Sequence, residues 1–409
     1  MFIIYFALFL LVLDLYSFQS IKLIISNKYI KVIYIFITLL ILGFILYIFN
    51  GLQSKQGQTQ LTLAASGLFL LVYVPKLWIT IFLILEDVFR IFFGIFHINK
   101  FSKLKSNPAR FFPKRFKVIS GLALLMGCLN FVAFAHGIFV GRYKYRVIKQ
   151  DIVFSNLPKS FDGYKVLQLS DFHLGSLNKP EVIAKAVQMI NAQDYDLLVF
   201  TGDLVNSKAN EVDPWFNILS KIRTPENGKY AILGNHDYGD YVKFDSETDK
   251  QNNFEQLQFA HKKLGFNLLE NKHIYIKNHK DSIALIGIEN WGKNFKQKGN
   301  LEKATKGVNP NDFKILLSHD PSHFEQKVSV DSIFYDLTLA GHTHGFQFGF
   351  ELANGFQWSP VQFIYKYWAG LYKENKRYLY VNRGFGYHAY PGRVGIWPEI
   401  TVLTLKSKK

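Results

Sequence analysis

The pattern of apolar and polar positions changes character near residue 150. Before it, apolar residues run on for most of a membrane thickness at a time. Phe2–Phe18 is apolar apart from Asp14, Tyr5 and a short polar end, and Leu61–Leu85 is broken at Pro75-Lys76. Val32–Phe49 and Val118–Val140 carry no charge. Each run is near the ~20 residues that cross a hydrocarbon core, so the pattern predicts four transmembrane helices. Leu61–Phe96 is too short for two such spans and a turn. Its tail, Glu86–Phe96, reads instead as an interfacial amphipathic turn or two. A cleavable signal peptide fits the first run less well, because it lacks a basic start and further spans follow.

After residue 150 the apolar runs shorten and alternate with polar helical stretches. Tyr164–Ser170, Asp196–Thr201, Tyr230–Leu233, Ser282–Ile288, Phe313–Ser318 and Ile333–Ala340 read as strands. Pro180–Asn191 and Asn253–Leu264 read as helices. Strands that alternate with helices imply an α/β core of layered sheets. The expected organisation is a helical membrane anchor, residues 1–149, followed by an α/β domain, residues 150–409.

Charge sharpens this division. The net charge of +17 invites a nucleic-acid reading, but residues 1–150 carry 17 Lys and Arg against Asp14, Glu86 and Asp87, leaving only +3 for the rest. The excess flanks apolar runs, as in membrane loops, and nucleic acid is not an expected partner; the lipid bilayer is. Ten basic residues fall in the first and third connections (Lys22, Lys28, Lys31; Lys100, Lys103, Lys105, Arg110, Lys114, Arg115, Lys117). Five fall in the second connection and after the last span (Lys55; Arg142, Lys144, Arg146, Lys149). That balance puts connections one and three in the cytoplasm, and the α/β domain on the extracytoplasmic face of a multi-pass cell-membrane protein. Asp14, Lys76 and His136, scattered in apolar runs, read as interfacial or helix-pairing groups rather than a transport path. The single cysteine, Cys128, excludes an intrachain disulfide.

Candidate chemistry sits at the strand ends. Asp171-Phe172-His173 follows the first strand, Gly202-Asp203 the second, and Gly234-Asn235-His236-Asp237 the third. His319-Asp320 follows the fifth, and Gly341-His342-Thr343-His344-Gly345 the last. Open α/β sheets place ligands outside the carboxyl ends of their strands, so all five loops can converge on one site. Seven mixed donors without cysteine, Asp171, His173, Asp203, Asn235, His319, His342 and His344, exceed what one ion needs and suit two. Imidazole with carboxylate favours Mn, Fe or Zn over Ca or Mg. Paired ions ~3.5–4 Å apart clamp the attacking and leaving oxygens of an in-line displacement, which fits phosphate-ester hydrolysis better than carbonyl chemistry.

Together these five blocks resemble the calcineurin-like metallophosphoesterases, from about Tyr164 to the C-terminus. Ser318-His319-Asp320-Pro321, Gly341–Gln347 and Trp397-Pro398-Glu399-Ile400-Thr401 look most like the membrane-associated bacterial branch. The resemblance implies a four-layer α/β/β/α sandwich and two divalent metal ions, Mn first, with Fe or Zn also used. It further implies that Asp171, His173, Asp203 and His344 hold one ion. Asp203 would bridge to the other, completed by Asn235, His319 and His342. His236 would steady the phosphate and protonate the leaving oxygen as a metal-bridging hydroxide attacks. Asp237 would orient that histidine or its loop. Asn206 stands where the family often has Asp, which bears on charge behind the ligands rather than on the ligands. Phe346 replaces a common glycine.

The aromatic-rich stretch from Phe346 to Trp368 reads first as a long loop packed on its own domain and alternatively as an apolar lid or bilayer face. Gly384–Tyr390 would close the other side of the site. The expected function is hydrolysis of a phosphodiester or pyrophosphate bond, in a lipid-linked or nucleotide-linked substrate. Alternatives are a tethered phosphatase for soluble substrates and a metal-binding membrane sensor without turnover.

Overall fold

The computed structural model describes residues 2–52, 57–96, 114–352 and 355–408. Lys55, Lys100, Lys103, Lys105 and Arg110, used above for orientation, lie outside these residues. The chain divides into two compact units, Met1–Ser54 with Leu61–His136, and Lys55–Gln60 with Gly137–Lys409.

The first unit is built from α1 (Phe2–Ile24), α2 (Lys28–Leu52), α3 (Gln60–Phe96) and α4 (Lys117–Phe139), all long and apolar enough to cross a membrane. Leu10, Leu13, Leu42, Ile45 and Tyr73 form the contact between α1, α2 and α3. One expectation is corrected here and one is met. First, Glu86–Phe96 is not a separate interfacial segment, because α3 runs unbroken through Pro75 for 37 residues. Polar contacts hold its far end: Glu86 accepts from the Phe116 N–H at 2.6 Å, and Arg115 pairs with Glu86 at 3.2 Å and Asp87 at 2.5 Å. Second, Asp14 and Lys76 are helix-pairing groups, one of the two readings expected of them. Lys76 Nζ lies 2.6 Å from Asp14 and 3.2 Å from Thr38 Oγ1, and Tyr73 OH lies 3.2 Å from Asp14, so a buried cluster joins three helices.

The second unit contains two six-stranded sheets. Strands β1 (Arg146–Phe154), β2 (Lys165–Leu169), β3 (Leu197–Phe200), β4 (Lys229–Ala231) and β5 (Phe266–Leu268) begin the chain order. They continue as β6 (Lys272–Asn278), β7 (Asp281–Gly287), β8 (Lys314–Leu317), β9 (Leu337–Ala340), β10 (Phe350–Glu351), β11 (Gln357–Trp358), β12 (Gly370–Glu374), β13 (Arg377–Val381) and β14 (Glu399–Ser407). One sheet has the order β1-β14-β2-β3-β4-β5 and the other β12-β13-β9-β8-β7-β6. Val166, Leu197, Val199 and Leu403 of the first sheet meet Ile283, Leu285, Ile315, Leu317 and Tyr380 of the second in one dry core. The helix Pro180–Asn191 buries Ile183, Ala186, Val187 and Ile190 on its inner stripe. Helix Pro321–Gln326 contributes Phe324 to the cluster on the outer face of the second sheet. The result is the expected layered sandwich, with β2, β3 and β4 parallel in one sheet and β7, β8, β9 and β13 parallel in the other. Parallel strands bring their carboxyl ends to one edge, and the five motif loops leave from that edge.

Candidate metal centre

Three of the five loops leave their strands through an uncommon backbone conformation. Asp171, His173, Asp203, His342 and His344 all have φ between +47° and +72°. Left-handed backbone at non-glycine residues carries strain that the surrounding structure must hold in place. Here hydrogen bonds between loops hold it: the Asp171 N–H donates to the Gly202 carbonyl at 2.9 Å, the His173 N–H to the Asp203 carbonyl at 3.2 Å, and the Gly341 N–H to the His319 carbonyl at 2.9 Å. Close approach also forbids side chains at two fence positions. A Cβ on Gly234 would lie 2.2 Å from Asp203 Oδ1, and one on Gly341 would lie 2.3 Å from Asp171 Oδ2.

The side chains so placed form two trios, Asp171 with His173 and His344, and Asp203 with His319 and His342. Donor atoms within each trio lie within 4.8 Å of one another. Asp203 Oδ2 faces both groups, 3.2 Å from His319 Nε2 and 3.6 Å from His173 Nε2. His344 Nε2 lies 3.4 Å from Asp171, and His342 Nδ1 lies 3.2 Å from His319 Nε2. Asn235 joins them with its Nδ2 donating to Tyr241 OH at 2.7 Å, which turns Oδ1 the other way. Six of the seven residues named from the sequence therefore stand in the two trios, and the seventh, Asn235, sits between Gly234 and His236, which both close on Asp203.

Partners behind the ligands fix the imidazoles. His173 Nδ1 donates to Asn206 Oδ1 at 3.0 Å and His319 Nδ1 to the Thr201 carbonyl at 2.6 Å, so each ring turns its Nε2 toward the centre. His236 Nδ1 donates to the Asn206 carbonyl at 2.8 Å, and its backbone N–H donates to Asp203 Oδ1 at 2.8 Å. Asn206, noted in the sequence for its missing charge, thus positions two histidines at once. Asp237 accepts from the backbone N–H groups of Asp203, Leu204 and Gly234 at 2.9 Å and of Val205 at 3.4 Å, knitting two loops together. It orients the loops rather than the His236 ring.

Three contributors were not singled out from the sequence. Tyr365 OH lies 2.9 Å from His342 Nε2 and 3.4 Å from Asp320, so one member of the aromatic run points into the site. Arg393, fully buried, sets Nη2 3.1 Å from His344 Nδ1 and donates to the carbonyls of Arg383 and Gly386. His388 stacks on His173, with ring centroids 4.7 Å apart, and meets His236 edge-on at 4.4 Å. The sequence offered one signal for His388, its place in the glycine-rich Gly384–Tyr390 segment. Tyr365 carried only its place in the aromatic run that follows the metal turn, and Arg393 carried none.

Electrostatics suit a cation. Burial would raise Asp203, but His319, His236 and His173 hold it well below the usual carboxylate range. Burial pulls His319 down, yet the charges of Asp203 and Asp171 overcome it and push the ring up to about 10. Burial drops His173 to about 3 and His342 to about 4, keeping both neutral and able to ligate. Two buried atoms aimed at the centre, Asn235 Oδ1 and His344 Nε2, have no hydrogen-bond partner among the described residues. Buried polar atoms are nearly always satisfied, so this set fits a divalent ion on each trio.

Residues 1–142 match the family model described as a probable calcineurin-like phosphoesterase, transmembrane domain, and residues 164–346 match the calcineurin-like phosphoesterase model. The uncharacterised metallophosphoesterase YkuE of Bacillus subtilis is 30% identical over 263 residues, 62% of this chain and 82% of that protein. The chain belongs to the calcineurin-like phosphoesterases. Among other relatives of this phosphoesterase, an uncharacterised metallophosphoesterase of Aquifex aeolicus is 28% identical over 70% of this chain and 98% of its own length. A transmembrane protein with metallophosphoesterase domain from Danio rerio is 29% identical over 64% of this chain and 57% of its own length. The phosphoesterase is therefore a metal-dependent hydrolase that carries a membrane region, and the sensor reading without turnover falls away.

Proposed function

We propose that the protein is a multi-pass, membrane-anchored phosphoesterase with two divalent ions that cleaves a phosphodiester or pyrophosphate bond in an amphiphilic, lipid-linked or nucleotide-linked substrate. The observation that carries this reading is the pair of donor trios meeting at Asp203, with His236 held beside them. Asp171, His173, Asp203 and His344 would hold one ion and Asp203, Asn235, His319 and His342 the other. The ions, Mn, Fe or Zn by the donor set and Mn first by the family resemblance, would supply Lewis acidity and an activated water. The chain's own residues do the rest. Asp203 fixes the spacing between the two halves of the site. The His236 Nδ1–H is committed to the Asn206 carbonyl, which leaves Nε2 as the atom that faces a phosphoryl oxygen and, in the doubly protonated imidazolium, passes its proton to the leaving oxygen.

Exposed apolar side chains support an amphiphilic substrate. Tyr367 and Trp368 pack inward, but Phe346, Phe350, Leu352, Phe356, Phe363 and Ile364 face outward, Phe363 at 79% exposure. Apolar clusters of this kind mark ligand or membrane contact. The extracytoplasmic placement rests on the basic-residue balance.

The test is hydrolysis of bis(p-nitrophenyl) phosphate by purified protein, stripped of metal and reloaded with Mn. Turnover that returns with metal and falls at least ~100-fold in both Asp203→Ala and His236→Ala is expected, the range for a lost proton donor. Turnover that survives Asp203→Ala would sink the two-ion reading. Equal activity on soluble and lipid-linked diesters in detergent would remove the amphiphilic preference.

A further inference from the structure

His388 belongs to neither donor trio, yet its ring donors lie within 4.8 Å of those of both His173 and His236. Its Nδ1 is buried and has no hydrogen-bond partner among the described residues, while the residue as a whole is only half-buried. A ring with one face on a ligand histidine, one edge on the proposed proton donor and one unsatisfied nitrogen sits where an incoming group would arrive.

The loop is built to hold it there. The His388 N–H donates to Gln347 Oε1 at 2.6 Å, and Gln347 Nε2 donates to the carbonyls of Tyr390 at 3.1 Å and Gly392 at 2.9 Å. Gln347 follows the His342–His344 turn, so one side chain ties the His388 loop to the ligand loop. The Gly386 N–H donates to the Asp171 carbonyl at 2.8 Å, which ties the same loop to the first strand end. Ala389 takes φ +64°, and its N–H donates to Gln58 Oε1 at 2.8 Å. A left-handed alanine is strained and needs such an anchor.

We propose that His388 is a substrate-contacting residue, which donates a ring N–H to a phosphoryl oxygen beside the one His236 faces. This rests on the phosphoesterase reading above. A neutral imidazole carries one N–H and one lone pair, so it can serve this role without a change of charge. Two imidazoles from different loops would then grip one phosphoryl group, His236 toward the leaving oxygen and His388 toward a non-bridging oxygen. The contact is made by the phosphoryl group itself, so it serves any phosphoester the site accepts.

The experiment uses the full-length, Mn-loaded protein in detergent and measures inorganic phosphate binding by calorimetry, together with bound metal per chain and melting temperature. His388→Ala is expected to weaken phosphate at least ~10-fold, the size of one good hydrogen bond to a charged group. His388→Asn, which keeps a donor, is expected to recover part of that loss. Metal content and melting temperature should match wild type in both variants. Phosphate binding within twofold of wild type in His388→Ala overturns the inference and leaves the phosphoesterase reading intact. Loss of bound metal in His388→Ala also overturns it and makes His388 a ligand. Wild-type protein that holds metal but binds no phosphate overturns both.

Discussion

A neutral amide takes the place of a carboxylate behind His173, and this sets what Asn206 can do. Its Oδ1 accepts the His173 N–H and its carbonyl accepts that of His236, so one residue selects both tautomers. It adds no negative charge to a centre that already holds Asp171 and Asp203. Truncating Asn206→Ala is expected to lower metal affinity 10–100-fold, the usual cost of losing such a partner. Asn206→Asp should regain most of it, as read from retained Mn after dialysis against a buffered chelator. Unchanged affinity in the alanine variant would show that burial alone orients His173. The ligands were legible in the sequence because glycine and strand-end position mark them, as in Gly202-Asp203 and Gly341-His342. Tyr365, His388 and Arg393 were not, because their role comes from loops that return across the sheet edge, and no spacing encodes that return. Phe346 is a third kind of case. Its φ of +51° is a glycine conformation adopted by a phenylalanine, which explains the glycine common there and leaves the ring facing outward.

Among the elements, strands with continuous apolar runs were readable, since β2, β3, β8 and β9 are buried on both faces. The edge strands β1, β6 and β12 escaped, being half-exposed and carrying Lys or Glu at solvent-facing positions. In α3 the charges of Glu86 and Asp87 misled, because the Phe116 N–H and Arg115 partner them and let the helix run on. The two sheets also share a charged staple that no pattern announces. Glu399 of β14 accepts from Arg383 Nη1 at 2.7 Å and from Tyr380 OH at 2.7 Å, and Arg383, which follows β13, also pairs with Glu351. Burial raises the Glu399 carboxyl, but Arg383 and the hydroxyls of Thr401 and Tyr380 outweigh it and hold it below its ordinary 4.5. A carboxyl depressed in the folded state stabilises above its unfolded value and loses that contribution as pH falls through the folded one. Glu399→Gln should therefore cost about 3 kcal/mol at neutral pH, the low end for breaking a buried ion pair. The gap in melting temperature from wild type should close as pH drops below 4.5. A gap that stays constant down to pH 3 would mean Glu399 acts by packing alone.

For the molecule as a whole, the distribution of charge separates a basic, apolar anchor from a nearly balanced α/β unit, and that much was plain from the sequence. What could not be read was that Asp14 and Lys76 meet, since they lie 62 residues apart on helices whose faces the uniformly apolar pattern does not reveal. Removing one charge strands the other, so Asp14→Asn and Lys76→Met should each lower the melting temperature sharply in detergent, by about 3–5 kcal/mol of stability. The double variant should recover most of the loss; equal losses in single and double variants would mean the pair does not act as a unit. The same pair has a bearing on biogenesis. Each charge alone opposes its own helix entering lipid by about 2.5–3.5 kcal/mol, and the relief comes only when α1 and α3 are side by side. Helix α1, made before α3, would then wait in a protected place until α3 arrives, so these helices are assembled as a set and not one at a time.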